Sequence, residues 1–266
     1  MLETLFKNKN VEQILLFLFV NQKGYDFQIK SLLNVLPTSL KQTLYKLEKD
    51  KVIHSYFEKN RRVYEFNFNY PLFNELESLL KKNYTLLLPE DKKKYCLLHK
   101  PRLNIKEEVK RDLFQEKELK EFFKRLSNVG TLLLKTSSRN GGEQKTQKGH
   151  ALVLISSTKE NELIFTEKGN WDLGLTPSLA FTNSFRWTLD LKSSLISLEH
   201  LRYGLDKPVF LFHLTPNESK ELDSISPHIC NEDTYLGKVR WSENQVLLDL
   251  RVIGPNKNDF LNYIYE

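Results

Sequence analysis

Residues 36–67, LPTSLKQTLYKLEKDKVIHSYFEKNRRVYEFN, change hydrophobic period in the middle, and that change organises the first third of the chain. As far as Asp50 the apolar positions are helical: Leu40, Leu44 and Leu47 fall at i, i+4 and i+7, one stripe of a helix. Pro37 suits the first turn, and Thr38 or Ser39 is expected to cap it. The opposite face carries Lys41, Gln42, Tyr45, Lys46 and Lys49. Beyond Asp50 the period is two. It predicts a strand over 52–58, a turn at Lys59-Asn60 and a return strand over 61–67, with Lys59, Arg61 and Arg62 at the tip.

Upstream, residues 9–21 (KNVEQILLFLFVN) set Val11, Ile14, Leu15, Phe17 or Leu18, and Phe19 around a mostly buried helix, with Gly24 suited to its C-terminal cap. Residues 26–33 (DFQIKSLL) open on Asp26, a good N-cap, and expose Gln28 and Lys30. Three helices followed by a basic hairpin is the winged helix-turn-helix arrangement, whose third helix can enter the major groove while the wing follows the backbone. The segment resembles the ArsR-like winged-helix regulators over most of residues 5–85, through LPTSLKQTLYKLEKDKVI, EKNRRVYEFN and YPLFNELESLL. That resemblance implies double-stranded DNA as partner. Lys41, Gln42, Tyr45 and Lys46 would face the groove beside Thr38 and Ser39, while Lys59, Arg61 and Arg62 would meet phosphates. The same arrangement also serves for protein contacts alone.

The charge divides unevenly. Residues 1–100 hold 17 Lys+Arg against 11 Asp+Glu, and residues 101–266 hold 23 against 23, so the whole excess of +6 lies in the first hundred. A basic segment joined to a neutral one fits two domains, the first facing a polyanion; a solvated Lys-rich surface would look the same. Apolar residues at 40% and charged residues at 28% mark a globular chain. No apolar run approaches the roughly 18–20 residues of a membrane span, and the N-terminus has no signal-peptide pattern. Cys96 and Cys230, far apart, read as reduced thiols, so a cytoplasmic chain is expected.

Residues 70–83 (YPLFNELESLLKKN) place Leu72, Leu76, Leu79 and Leu80 on one side of a helix. Such a stripe either pairs with its twin in a homodimer, as a reader of two half-sites would need, or packs on its own domain. Residues 86–117 form a charged helical connector, where Cys96 and His99 have a Cys-x-x-His spacing but no second pair to complete a zinc site. From Gly130 short strands follow one another over 131–137, 149–156, 161–167, 179–188, 194–200, 208–214, 234–242, 244–253 and 259–265. Short polar turns between them predict an antiparallel barrel or sandwich.

This half is similar to an uncharacterised family of lipocalin-like, calycin-type barrels. KGHALVLIS, LIFTEKGNW, FTNSFRWTL, VFLFHL, HICNEDTYLGKVRW and RVIGPNKNDFLNYIY carry the likeness across nearly all of residues 118–266. Gly130-Thr131-Leu132 stands where such barrels often open with Gly-x-Trp, which removes the ground for expecting a typical lipocalin ligand.

The fold expected is therefore α+β in two domains: a winged helix-turn-helix over 1–85, the connector over 86–117, and an antiparallel lipocalin-like barrel over 118–266. The expected function is a DNA-binding transcriptional regulator, not an enzyme, whose barrel takes a small apolar or amphipathic ligand. Its candidate lining residues are Glu167, Arg186, Trp187, His213, His228, Cys230, Asp233, Tyr235 and Arg240. The octapeptide HICNEDTY (228–235) gathers a His, a thiol, two carboxylates and a phenol, yet no catalytic triad, metal set or cofactor motif is readable around it. The alternative is an enzyme or a haem- or metal-binding barrel, with His213 or His228 as ligand, recruited by a winged helix that contacts protein.

Overall fold

The computed structural model describes residues 3–33, 36–58, 60–97, 105–140, 143–173, 179–217 and 221–266. A short α1 (Glu3–Phe6) precedes α2 (Lys9–Asn21), which starts where the Asn8 side chain accepts a hydrogen bond from the Asn10 amide. Every residue from Ile14 to Val20 is buried, so α2 is apolar on all sides and forms the centre of the first core. Its cap falls on Gln22, at φ 67, and not on Gly24. Gly24 instead belongs to β1 (Lys23–Tyr25), where a Cβ would press to 2.3 Å from the Phe17 ring.

After β1 come α3 (Asp26–Leu33), α4 (Pro37–Lys49), β2 (Ile53–Glu58) and β3 (Arg61–Phe66). The strands form an antiparallel sheet in the order β1-β3-β2, with Tyr25 opposite Val63 and Glu58 opposite Arg61. Leu40, Leu44 and Leu47 are buried on the inner face of α4, as the stripe predicts. The cap differs: Leu36 holds the N-cap position without a side-chain bond, and neither Thr38 nor Ser39 caps the helix. Pro37 at the first helical position lacks an N–H to satisfy, so the missing cap costs less here. In α5 (Phe73–Thr85), Phe73, Leu80 and Tyr84 are buried and Leu76 and Leu79 pack against the same core, so these three leucines of the stripe pack on their own domain, while Leu72, at the N-cap position, is exposed. The short α6 (Pro89–Lys93) follows, with Cys96 buried in the same core just after it.

Among the described residues, α7 (Ile105–Leu126) leads into eleven strands: β4 (Thr131–Asn140), β5 (Glu143–Ser156), β6 (Glu162–Trp171), β7 (Leu179–Asp190), β8 (Leu195–His200), β9 (Val209–Pro216), β10 (Glu221–Ser224), β11 (His228–Cys230), β12 (Asp233–Trp241), β13 (Val246–Gly254) and β14 (Lys257–Tyr265). All pairings are antiparallel. β14 returns to β4, and β10 pairs with both β9 and β12, so ten strands close into a barrel while β11 continues the edge of β10 along β12. Closure leaves few free edges. Two strands, β10 and β11, and the polar first half of β5 go beyond the nine strands expected. Residues 143–148 (EQKTQK) lack an apolar period; ladder pairing with β4, Asn140 opposite Glu143 through Lys135 opposite Lys148, holds them extended.

One end of the barrel is plugged. Leu119, Phe122, Phe123 and Leu126 on the last turns of α7 join a single core with Trp187, Phe165, Ile196 and Leu214. The Phe122 ring lies 6.2 Å from Trp187 and 5.2 Å from Trp241, and its full burial contributes about 2–3 kcal/mol. Among the described residues no helix is long and apolar enough to cross a membrane.

The helical unit rests on the outside of the barrel. Ile253 belongs to the first core and Leu236 packs against it, so the outer face of β12 and β13 is covered by the helical unit rather than by water. Alternation along β13 then sends adjacent residues to different cores: Leu250 and Val252 inward, Arg251 and Ile253 outward.

Candidate functional site

Two surfaces bring together polar groups that the fold itself leaves available. The first is the outer face of α4, where Thr38, Lys41, Gln42, Tyr45, Lys46 and Lys49 are all exposed, Tyr45 at 66%. Ser39 is half-buried and accepts a hydrogen bond from the Asn10 amide, so it anchors α4 to α2. Arg62 does not project freely. Its guanidinium pairs with Glu48 at 2.7 Å and donates from Nε to Ser55 Oγ at 2.8 Å, tying the hairpin to α4. Arg61 is exposed and lies over the Phe27 ring, 5.2 Å from its centre. Lys59 lies outside the described residues. Phe57, 74% exposed on β2, and Phe27, 48% exposed, add aromatic surface beside this face that the sequence reading did not single out.

The second is the unplugged end of the barrel, which holds a cavity of about 210 Å³. Its walls come from β7 (Asn183, Phe185), β8 and β9 (His200, Leu211), β12 (Tyr235), β13 (Leu250, Val252) and β14 (Lys257, Asp259, Leu261, Tyr263). These positions alternate along each strand, as inward residues must. Of the nine candidate residues only Tyr235 lines this cavity among the described residues, though phasing the period of two from Tyr235 across its neighbours would have found others.

The octapeptide turns out to be a hairpin at this rim. His228–Cys230 pair with Asp233–Tyr235, and Asn231 turns the chain at φ 55, a conformation Asn tolerates. Asp233 forms an ion pair with Lys257, whose ammonium also reaches the Tyr235 hydroxyl at 3.4 Å. That pairing, chiefly the bond to Asp233, raises the Lys257 pKa above its ordinary value. Gly254 makes the approach possible, since a Cβ there would stand 1.9 Å from Asp233 Oδ1. His228 lies with its ring 5.9 Å from Tyr235 and 5.5 Å from Phe210, and burial lowers its pKa. Cys230 is exposed at the turn.

The remaining candidates are scattered. Arg186 bonds Glu199 at 2.6 Å, with Glu162 at 3.9 Å, and Arg240 pairs with Asp249; neither lines the cavity. Trp187 is fully buried at the plugged end. His213 is exposed and shares a hydrogen bond with Ser197 at 2.9 Å. Glu167 is fully buried, accepting from the Tyr265 hydroxyl at 2.6 Å and the Asn183 amide at 3.2 Å. Burial pushes its carboxyl up to about 7, against the opposing pull of those two bonds. Among the described residues no three His, Cys, Asp or Glu side chains meet as a metal site would need. Cys96, of the Cys-x-x-His pair, sits in the first core with burial pushing its thiol up to about 12, and His99 lies outside the described residues.

Behind the cavity wall, Arg251 is buried between the two units. Its guanidinium donates to the backbone oxygens of Phe19 at 3.3 Å and Asp259 at 3.2 Å and to the Asn258 side chain. Burial lowers its pKa to about 10, with the Glu77 carboxylate the largest influence in the other direction.

The pattern of a family of unknown function (DUF6314) matches residues 131–266, β4 through β14, and the chain belongs to that family. No curated protein matches the chain.

Proposed function

We propose that the chain is a DNA-binding regulator whose barrel holds a small apolar or amphipathic ligand. The observation that carries the reading is the outer face of α4: Lys41, Gln42, Tyr45 and Lys46 are all exposed on one helix, with a basic hairpin beside it. The element order, helix α2, strand β1, helices α3 and α4, hairpin β2–β3, and the sheet order β1-β3-β2 support the winged helix-turn-helix reading. The charge excess of the first hundred residues supports the same partner, because phosphate neutralisation supplies most non-specific affinity for DNA. In this reading α4 lies in the major groove, Gln42 and Tyr45 meet base edges, Lys41 and Lys46 meet phosphates, and Arg61 follows the backbone. Arg62, paired with Glu48, keeps the hairpin at a fixed angle to α4.

A closed, helix-plugged barrel with an open apolar end supports the ligand-holding part and the likeness to lipocalin-like barrels. β13 gives the two parts a shared element, since Leu250 and Val252 face the cavity while Arg251 and Ile253 face the helical unit. A ligand alters DNA affinity only if it binds the DNA-competent arrangement differently from the other. The test is enrichment of a random duplex pool by the full chain and by the Lys41→Ala, Gln42→Ala, Lys46→Ala variant. A recovered consensus that the variant fails to enrich supports the reading. No enrichment by either protein contradicts it, and equal enrichment by both removes α4 as the reader.

A further inference from the structure

We propose that the cavity at the open end of the barrel selects a small amine: an apolar body with a cationic head that pairs with Asp259. The inference rests on the ligand-holding role given above to the barrel. The volume of about 210 Å³ lies below the roughly 300–1,000 Å³ of common ligand clefts, so the body is small. Phe185, Leu211, Leu250, Val252, Leu261 and Tyr263 make most of the wall apolar.

The polar groups decide the head. The Asn183 amide donates to Glu167, which leaves its carbonyl oxygen, an acceptor, for the cavity. The Tyr235 hydroxyl donates to Asp233 at 3.3 Å, and the Lys257 ammonium is held by the same carboxylate. His200, stacked on Phe185 at 4.9 Å, is neutral near pH 7: burial first, then Arg202, push its pKa below the ordinary value. What remains is the Asp259 carboxylate, two residues past Lys257 on the inner face of β14, without an ion pair of its own among the described residues. Lys257 and Asp233 cancel, so Asp259 leaves the rim with a formal charge of −1. Arg251 lies behind the sheet, bonded to the Asp259 backbone oxygen; its charge is felt by the carboxylate from there, but the two form no ion pair among the described residues and the cavity side of Asp259 is left to a ligand. An ammonium would supply the missing charge, donate to the Asp259 carboxylate, and meet aromatic rings in the wall. A carboxylate of the same shape would find a negative rim and acceptors already in place.

The experiment is calorimetric titration of the full chain at neutral pH with phenethylamine, phenethyl alcohol and 3-phenylpropionate, three heads on one body. The amine is expected to bind at least about tenfold tighter than the alcohol, with the propionate weakest. Asp259→Asn should bring the amine to the level of the alcohol and leave the alcohol unchanged. Propionate binding as tightly as the amine, equal affinity for amine and alcohol, or no binding of any probe would overturn the proposal. If Asp259→Asn does not fold, the order among the three probes on the unaltered protein decides alone. DNA binding by the ligand-free chain is scored separately. Amine binding without DNA binding sinks only the regulator, and DNA binding without amine binding sinks only this proposal.

Discussion

The Asp233 carboxylate holds the Lys257 ammonium across two hairpins, joining the β11–β12 turn to the β13–β14 turn at the open end of the barrel. The pair is partly exposed, Lys257 at 43%, so its worth is modest: about 0.5–1 kcal/mol of coupling. A double-mutant cycle of Asp233→Ala and Lys257→Ala in urea should return that coupling. Gly254→Ala must push Asp233 aside, so in its background Asp233→Ala should cost almost nothing further. Full coupling persisting in the Gly254→Ala protein would show that the glycine has another task.

Arg251 is expected to be the costliest single polar residue of the contact between the two units. Arg251→Ala leaves the Phe19 and Asp259 carbonyls and the Asn258 side chain without their buried donor, and should lower stability by about 3–5 kcal/mol in denaturant unfolding. Arg251→Lys should recover little, because one ammonium cannot reproduce a planar fork that reaches three acceptors. A loss below about 1 kcal/mol in Arg251→Ala would mean that apolar packing alone holds the units together.

Glu167 gives a pH dependence with a definite sign. Its carboxyl titrates near 7 in the folded barrel but near 4.5 in the unfolded chain, so between these values the folded state holds more protons. Stability from this group is therefore full below about 4.5 and falls as pH rises through about 7, by about 3 kcal/mol in all. Glu167→Gln should unfold later than the unaltered protein at pH 8 and lose that slope, while the two converge near pH 5. Parallel profiles for the two proteins would show that Glu167 is ionised throughout.

Much of this was legible in the chain itself, and the misses share physical causes. The stripe Leu40, Leu44, Leu47 and the period-two hairpin after Asp50 appear as elements α4, β2 and β3 because burial and backbone geometry there agree. EQKTQK offered no period to read, since its strand is held by hydrogen bonds to β4 instead of by burial. Arg186 and Arg240 stood among the candidate lining residues, yet they neighbour Trp187 and Trp241 of the barrel core, and a period of two puts neighbours on opposite faces; both arginines pair with carboxylates away from the cavity. Asp259 lay within a quoted stretch, and only the register of β14 shows which way it faces. The covering of Arg251 and Ile253 by the helical unit depends on how two cores dock, which no local pattern encodes.

Fluorescence anisotropy of the full chain on its own upstream duplex, across a salt series, addresses the DNA-binding face directly. Binding should weaken linearly in log salt, with a slope of about −0.9 per phosphate contact, and Lys41→Ala should reduce that slope by about 1. Absence of binding even at low salt, or binding indifferent to salt and to Lys41, would contradict α4 as a DNA-reading helix.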